Sequence, residues 1–227
     1  GEFTVTWRNT GTDDLDDPVV YDILPFVGDT GVSGGQSSVP RGSQFQVTFA
    51  GITFTDSGVT VEYSDSNNPC RPEVYPSNPG CVNDWTSTPD DLADVRSLRF
   101  VANGTYETAD EFQVRFEVTL PVGEVNTIAW NSTAGTATAG SSQLLPAEPP
   151  KVGITAPAAP VVPTLSTQVS SDDLDPGDSI HDTITVGDAG NLTGTADWVL
   201  YGPVDVGNAT NCDSASWSGA PVADQIL

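Results

Sequence analysis

The run Phe112-Gln113-Val114-Arg115-Phe116-Glu117-Val118 alternates apolar and polar residues without a break. A period of two places Phe112, Val114, Phe116 and Val118 on one face of an extended strand and the three polar residues on the other. Its aromatic and β-branched residues suit a pleated, half-buried surface. The same pattern recurs at Phe3–Trp7, Val19–Ile23, Phe45–Phe49, Val59–Tyr63, Leu98–Phe100 and Ile128–Trp130, while no stretch sustains apolar residues at i, i+3, i+4 and i+7. Strands with one apolar and one polar face are what two antiparallel sheets packed face to face require, so the first part of the chain reads as a β-sandwich. Trp7, Tyr21, Phe49, Tyr63, Phe100, Phe116 and Trp130 lie on these strands and are assigned to its core rather than to a carbohydrate platform.

Between Leu144 and Pro163 the alternation gives way to Leu-Leu-Pro-Ala-Glu-Pro-Pro and Ala-Pro-Ala-Ala-Pro-Val-Val-Pro. These prolines favour polyproline II and cannot donate to a central ladder, which predicts a semi-rigid linker. Strands are expected to resume at Thr164–Val169, Ser179–Val186, Thr195–Tyr201 and around Trp217. The fold class expected is therefore all-β: tandem antiparallel, immunoglobulin-like β-sandwich domains. The first covers residues 1–155, a Pro-rich linker 156–163, and a second domain 164–227. That last stretch is shorter than the ~100 residues of a usual sandwich and is read as incomplete. The start at Gly1, without Met or an apolar leader, reads as a segment of a longer protein.

Composition narrows the function. Seven Lys+Arg against 31 Asp+Glu give a net charge of −24, which excludes a nucleic-acid partner and an anionic membrane surface by sign alone. No apolar run approaches the roughly 20 residues of a spanning helix, so no membrane span is expected in this segment. Three Cys fit one disulfide and one further thiol better than a metal cluster, and a disulfide implies an oxidising, extracytoplasmic setting.

At Phe3-Thr-Val-Thr-Trp-Arg-Asn-Thr-Gly-Thr12, Val19-Val-Tyr-Asp-Ile-Leu-Pro25 and Asn126-Thr-Ile-Ala129, residues 1–155 resemble the conserved-repeat family, domain of unknown function 11, of bacterial surface proteins. The usual first strand of that family is missing and Trp7-Arg8 replaces the common Val-Thr. From Pro163-Thr-Leu-Ser-Thr-Gln-Val169 through Asp175-Pro-Gly-Asp-Ser-Ile-His-Asp-Thr-Ile-Thr-Val186 to Leu200-Tyr-Gly-Pro203, the second domain resembles repeats of actinobacterial wall-anchored proteins. It also resembles, more weakly, adhesin repeats with an intramolecular Thr–Gln ester bond. The latter resemblance implies Thr167 as nucleophile and Asp182 as its assistant, with the acceptor Gln on a strand after Leu227.

Cys70 and Cys81 bracket a Pro-rich excursion and are expected to form a disulfide, because a thiolate metal site would want further Cys or His nearby. Cys212 is left either to a partner outside this segment or as a buried thiol. His181 is the sole histidine. Gly177-Asp-Ser-Ile180 imitates an esterase nucleophile block, but a strand follows it and no second histidine is available for a triad, so no catalytic residue is expected. Two acidic runs remain, Asp13–Asp17 and Asp172, Asp173, Asp175 and Asp178. Calcium is a possible cofactor there, against the alternative of solvated turns whose carboxylates cap the backbone. Sequons stand at Asn103, Asn131, Asn191 and Asn208, as expected by chance in so Thr-rich a chain.

These readings converge on a non-catalytic stalk or spacer module of an exported bacterial cell-surface protein, extracellular and anchored to the wall, whose partners are neighbouring domains of the same chain. The alternative is an adhesin that contacts a host protein or glycan through two long loops, Gly28–Pro40 and Ser64–Asp94.

Overall fold

The structure is a computed structural model that describes residues 1–170, 175, 179, 181–188, 197–201 and 221–226. The chain divides into two compact units, Gly1–Pro160 and Val161–Leu227.

In the first unit the alternating runs become two antiparallel sheets. One holds β1 (Glu2–Arg8), β7 (Glu111–Thr119) and β3 (Thr48–Thr55) in the order β1-β7-β3. The other runs β10 (Ser142–Gln143), β9 (Thr133–Ala139), β2 (Leu15–Ile23), β5 (Ser97–Ala102) and β4 (Val59–Ser64), with β6 (Thr105–Tyr106) also on β2. β8 (Ile128–Asn131) pairs with β11 (Val152–Thr155) in a separate ribbon. The fold is an all-β sandwich of immunoglobulin-like type.

The core lies between the sheets. β7 buries Phe112, Val114, Phe116 and Val118 and turns its polar residues outward, as its period demands. Phe116 is central, with the rings of Phe3, Phe49 and Phe100 at 5.6, 6.2 and 6.5 Å, separations typical of tilted aromatic packing. Trp7 and Tyr63 pack against this cluster half-buried. Trp130 departs from the expectation: Ala129 and Asn131 point inward on β8, so the indole takes the opposite face, outside the core.

β2 is buried on both faces. Val20 and Leu24 join the inter-sheet core, whereas Val19, Tyr21 and Ile23 form a second cluster with Val32, Val74 and Ala134. The cover comes from the two long loops. Arg71 Nε donates to the Val32 carbonyl (2.6 Å) and Gly34 N–H to the Val74 carbonyl (3.0 Å), which fastens the loops to each other over the sheet.

Two expectations are corrected. Phe45 and Val47 are buried, but the ladder begins only at Thr48, because Gln44 and Val47 donate instead to the carbonyls of Ile128 and Pro25. The Pro-rich stretch from Leu144 is not all linker. Ala147 exchanges backbone hydrogen bonds with Gly135 (2.9 Å each), and Val152–Thr155 is β11. Ala156 N–H donates to the Thr127 carbonyl, and the Pro157 carbonyl accepts from Gly123, so the sandwich continues past residue 155. The prolines prevent a continuous ladder there, and the segment becomes a strap over the open side of the sandwich.

In the second unit β12 (Thr164–Val169) pairs with β13 (Asp182–Gly187), and β14 (Asp197–Tyr201) with β15 (Pro221–Ile226), both antiparallel. The strand expected around Trp217 lies outside the described residues. No helix among the described residues is long and apolar enough to cross a membrane.

Candidate functional site

A polar knot sits where the inter-sheet core meets the strap. Alternation forces Asp22 to the inner face beside Val20 and Leu24, and Asn131 to the inner face of β8. Asn131 Nδ2 donates to Asp22 Oδ2 (2.9 Å), and Arg41 Nη1 donates to Asn131 Oδ1 (3.1 Å). Arg41 Nη2 also pairs with Asp29 Oδ2 at 2.9 Å, their side chains 3% and 0% exposed. Asp29 accepts in addition from Ser43 Oγ (2.7 Å) and the Phe26 N–H (3.3 Å). One guanidinium therefore faces two buried carboxylates, and burial pushes the Asp22 carboxyl up to about 7 against the opposing pull of Asn131 and Arg41. With its proton kept, Asp22 is neutral, and the knot balances one positive charge with one negative. Asp22 Oδ1 and Arg41 Nε have no hydrogen-bond partner.

The strap closes over the knot. Glu148 accepts four hydrogen bonds, from the N–H groups of Val32 (2.9 Å) and Ser33 (2.8 Å) and the hydroxyls of Ser33 (2.7 Å) and Ser132 (2.8 Å). Lys151, the sole lysine of the chain, donates to the Arg41 carbonyl and holds its ammonium 4.7 Å from the Trp130 ring centre. A cavity of about 240 Å³ between strap and loop is lined by Gln36, Arg41, Ser132, Glu148 and Lys151, among others. Its one lining hydroxyl, that of Ser132, donates to Glu148, and among the described residues no hydroxyl or thiol is paired with the imidazole that would activate it. The arrangement fastens strap to loop. Replacing Glu148 by Ala should release the strap, because it leaves two amides and two hydroxyls without their acceptor. Amide exchange at Val32 and Ser33 should accelerate about tenfold or more while β7 amides stay protected; equal acceleration in both would show global destabilisation instead.

A second polar cluster lies on the outer face of β2. The Tyr21 hydroxyl donates to Glu73 (2.5 Å), and burial, with that carboxylate's help, raises the phenol above its ordinary range. Arg99 pairs with Glu62 and stacks 5.3 Å from the Trp85 ring centre. Trp85 Nε1 in turn donates to the Cys70 carbonyl (2.7 Å). Cys70 and Cys81 are disulfide-bonded as expected. Replacing both by Ala should lower stability by about 3 kcal/mol, measured by urea unfolding of the folded protein, since the bridge closes a short loop. A change below about 1 kcal/mol would mean that the hydrogen bonds of the excursion already hold it.

The remaining sequence candidates are dispersed. Thr167 faces Ile184 in the ladder and Asp182 faces Val169, so the two lie diagonally on one face of the β12–β13 ribbon, both exposed. Asp175 and His181 are exposed as well, whereas Asp172, Asp173, Asp178 and Cys212 lie outside the described residues. In the first acidic run, Asp16 accepts from the Thr105 hydroxyl (2.6 Å) and Asp17 from the Gly104 N–H (3.1 Å), which ties the turn to β6. Among the described residues no three His, Cys, Asp or Glu side chains converge as metal ligands would. Asn131 is buried in the knot, which removes its sequon from consideration. The knot itself escaped sequence reasoning; the available signal was Asp22 and Asn131 standing at inward positions of apolar strands.

No protein-family model, curated protein or solved structure matches this chain.

Proposed function

We propose that the chain is a non-catalytic structural module of an exported bacterial surface protein, anchored to the wall, as its likeness to conserved-repeat domains implies. The observation that carries this reading is where the buried polar groups are used. Arg41, Asp29, Asn131 and Glu148 all fasten one part of the first unit to another, and the disulfide closes one of its loops. The sequence places rigidity where an enzyme would place reactive groups.

A Cβ on Gly1 would stand 2.1 Å from Ile154 Cδ1, so β1 begins beside the strand on which the first unit ends. The burial of Val32 and Val74 at the centres of the two long loops weighs against their acting as free recognition loops. Surface-immobilised chain should show no saturable binding to extracellular-matrix proteins or to a glycan array. Saturable binding that a Ser64–Asp94 peptide competes away would favour the adhesin over the spacer.

A further inference from the structure

β5 and β6 behave as one strand with an interruption. Both pair with β2, with Val101 opposite Val19 and Thr105 opposite Asp16. Between those pairs β2 spends two residues, Asp17 and Pro18, whereas the facing chain spends three, Ala102, Asn103 and Gly104, which makes a bulge. Pro18 has no N–H to offer the ladder there. Asp17 and Gly104 take up the bend with φ of 46° and 102° and bond to each other twice. Asp17 N–H donates to the Gly104 carbonyl (3.1 Å), and Gly104 N–H donates to Asp17 Oδ1 (3.1 Å). Asn103-Gly104 is the only Asn-Gly step in the chain, and both residues are exposed. Among the described residues the Asn103 carboxamide has no hydrogen-bond partner, whereas those of Asn9 and Asn131 are held at both the oxygen and the nitrogen. Asn103 Cγ can therefore swing onto the next backbone nitrogen, and the glycine that carries this nitrogen has no Cβ to obstruct the approach. The hydrogen on that nitrogen already points at a carboxylate.

We propose that Asn103 is a modification site, at which the Gly104 nitrogen closes on the Asn103 side chain to form a succinimide and the Asp17 carboxylate acts as the base. Gly104 N–H gives its proton to Asp17 as the nitrogen bonds to Asn103 Cγ. The Cγ–Nδ2 bond then breaks, the departing nitrogen takes up the proton from the Asp17 carboxyl through solvent, and ammonia leaves. Water opens the ring. Opening at Cγ leaves aspartate at position 103, and opening at the backbone carbonyl leaves isoaspartate, whose main chain runs through the former side chain and is longer by one atom. While the ring is closed the Gly104 nitrogen carries no hydrogen, so its bond to Asp17 is lost. Either product sets a new carboxylate beside Asp16 and Asp17 in a chain already at −24. The longer main chain of isoaspartate also breaks the alternation that continues from β5 into β6. β6 holds Tyr106, whose ring meets those of Trp7 and Phe112 edge-on at 5.3 and 6.0 Å. Modification of one exposed bend thus loosens an aromatic contact at the rim of the core, and because it is irreversible it records the age of the chain.

Incubating the full chain at mildly alkaline pH, followed by peptide mapping, tests this. The peptide that holds Asn103 should gain roughly one mass unit and become a substrate for an isoaspartyl methyltransferase. It should convert about tenfold faster than the peptides of Asn83 and Asn126, whose next residues, Asp84 and Thr127, carry a Cβ. Asp17→Asn keeps an oxygen acceptor for the Gly104 N–H but removes its basicity, and should slow conversion by roughly tenfold. In urea, where the bulge is gone, wild type and Asp17→Asn should convert at one rate. After the same incubation, amide exchange across β6 should accelerate in the wild type and stay unchanged in Asn103→Ser, which has no carboxamide to lose. Conversion at Asn103 no faster than at Asn83 and Asn126 overturns the site. A rate unchanged or raised in Asp17→Asn, or a difference that persists in urea, overturns the role of the carboxylate, and equal acceleration in wild type and Asn103→Ser overturns the link to β6.

Discussion

Arg41→Met should destabilise the first unit by about 3–5 kcal/mol, a loss large enough to leave much of the protein unfolded at 37 °C. The guanidinium supplies the positive charge of a knot in which Asp29 is wholly buried and Asp22 lies on the inner face of β2. Methionine preserves much of the volume, so the effect comes from charge and not from a cavity. Asp29 is then left in the interior without its counter-ion, with only the Ser43 hydroxyl and weaker amide contacts, and Asn131 loses the donor on its carbonyl. Part of the loss should return in Arg41→Met/Asp29→Asn, which removes the stranded charge while retaining the acceptor for Ser43. Urea unfolding monitored by tryptophan fluorescence measures both. If Arg41→Met costs less than about 1 kcal/mol, water reaches the knot and the ion pair behaves as a surface pair. If the double variant recovers nothing, the packing of the guanidinium carries the effect.

How much of this was legible beforehand depended on which physical signal each element leaves in the sequence. β7, β2 and β4 were readable because each places large β-branched or aromatic residues at every second position, and that periodicity survives whatever packs above it. β9, Thr-Ala-Gly-Thr-Ala-Thr-Ala, left little signal, because its alanines and glycine carry low strand propensity and it holds no large apolar residue. It exists because β2 offers a ladder and Gly135 lies close against Val20 and Trp7. The strap was hidden by its prolines, which predict an extended chain but not that Glu148 reaches back to the amides of Val32 and Ser33 more than a hundred positions earlier. The disulfide was readable from spacing and elimination. The knot required knowing that Arg41, in a loop with no periodicity, comes to lie beside Asp22 and Asn131, a coincidence of tertiary structure that no local pattern encodes.

Asp22 gives the second large effect, in the dependence of stability on pH. Its carboxyl is moved from an ordinary value of 3.8 to about 7, mainly by burial, with Asn131 and Arg41 pulling the other way. Because the folded value lies above the unfolded one, the folded chain holds this proton more tightly, and the stabilisation is fully present below the unfolded value. It is lost progressively as pH rises through the folded value, and above about 7 the full cost of burying an ionised carboxylate remains. A displacement of about three units corresponds to roughly 4 kcal/mol. The chain as a whole also gains stability on acidification, since 31 acidic residues repel one another at neutral pH, so the trend of the wild type alone does not isolate Asp22. The comparison with Asp22→Asn does. Asparagine keeps an acceptor for Asn131 and cannot ionise, so it mimics the protonated acid at every pH. The two proteins should be nearly equally stable near pH 4, and by pH 8 the variant should be the more stable by a difference approaching 4 kcal/mol. Curves that stay parallel across that range would mean that Arg41 holds Asp22 ionised throughout. The knot would then carry two negative charges on one positive, and Asp22→Asn would be neutral or destabilising at pH 8.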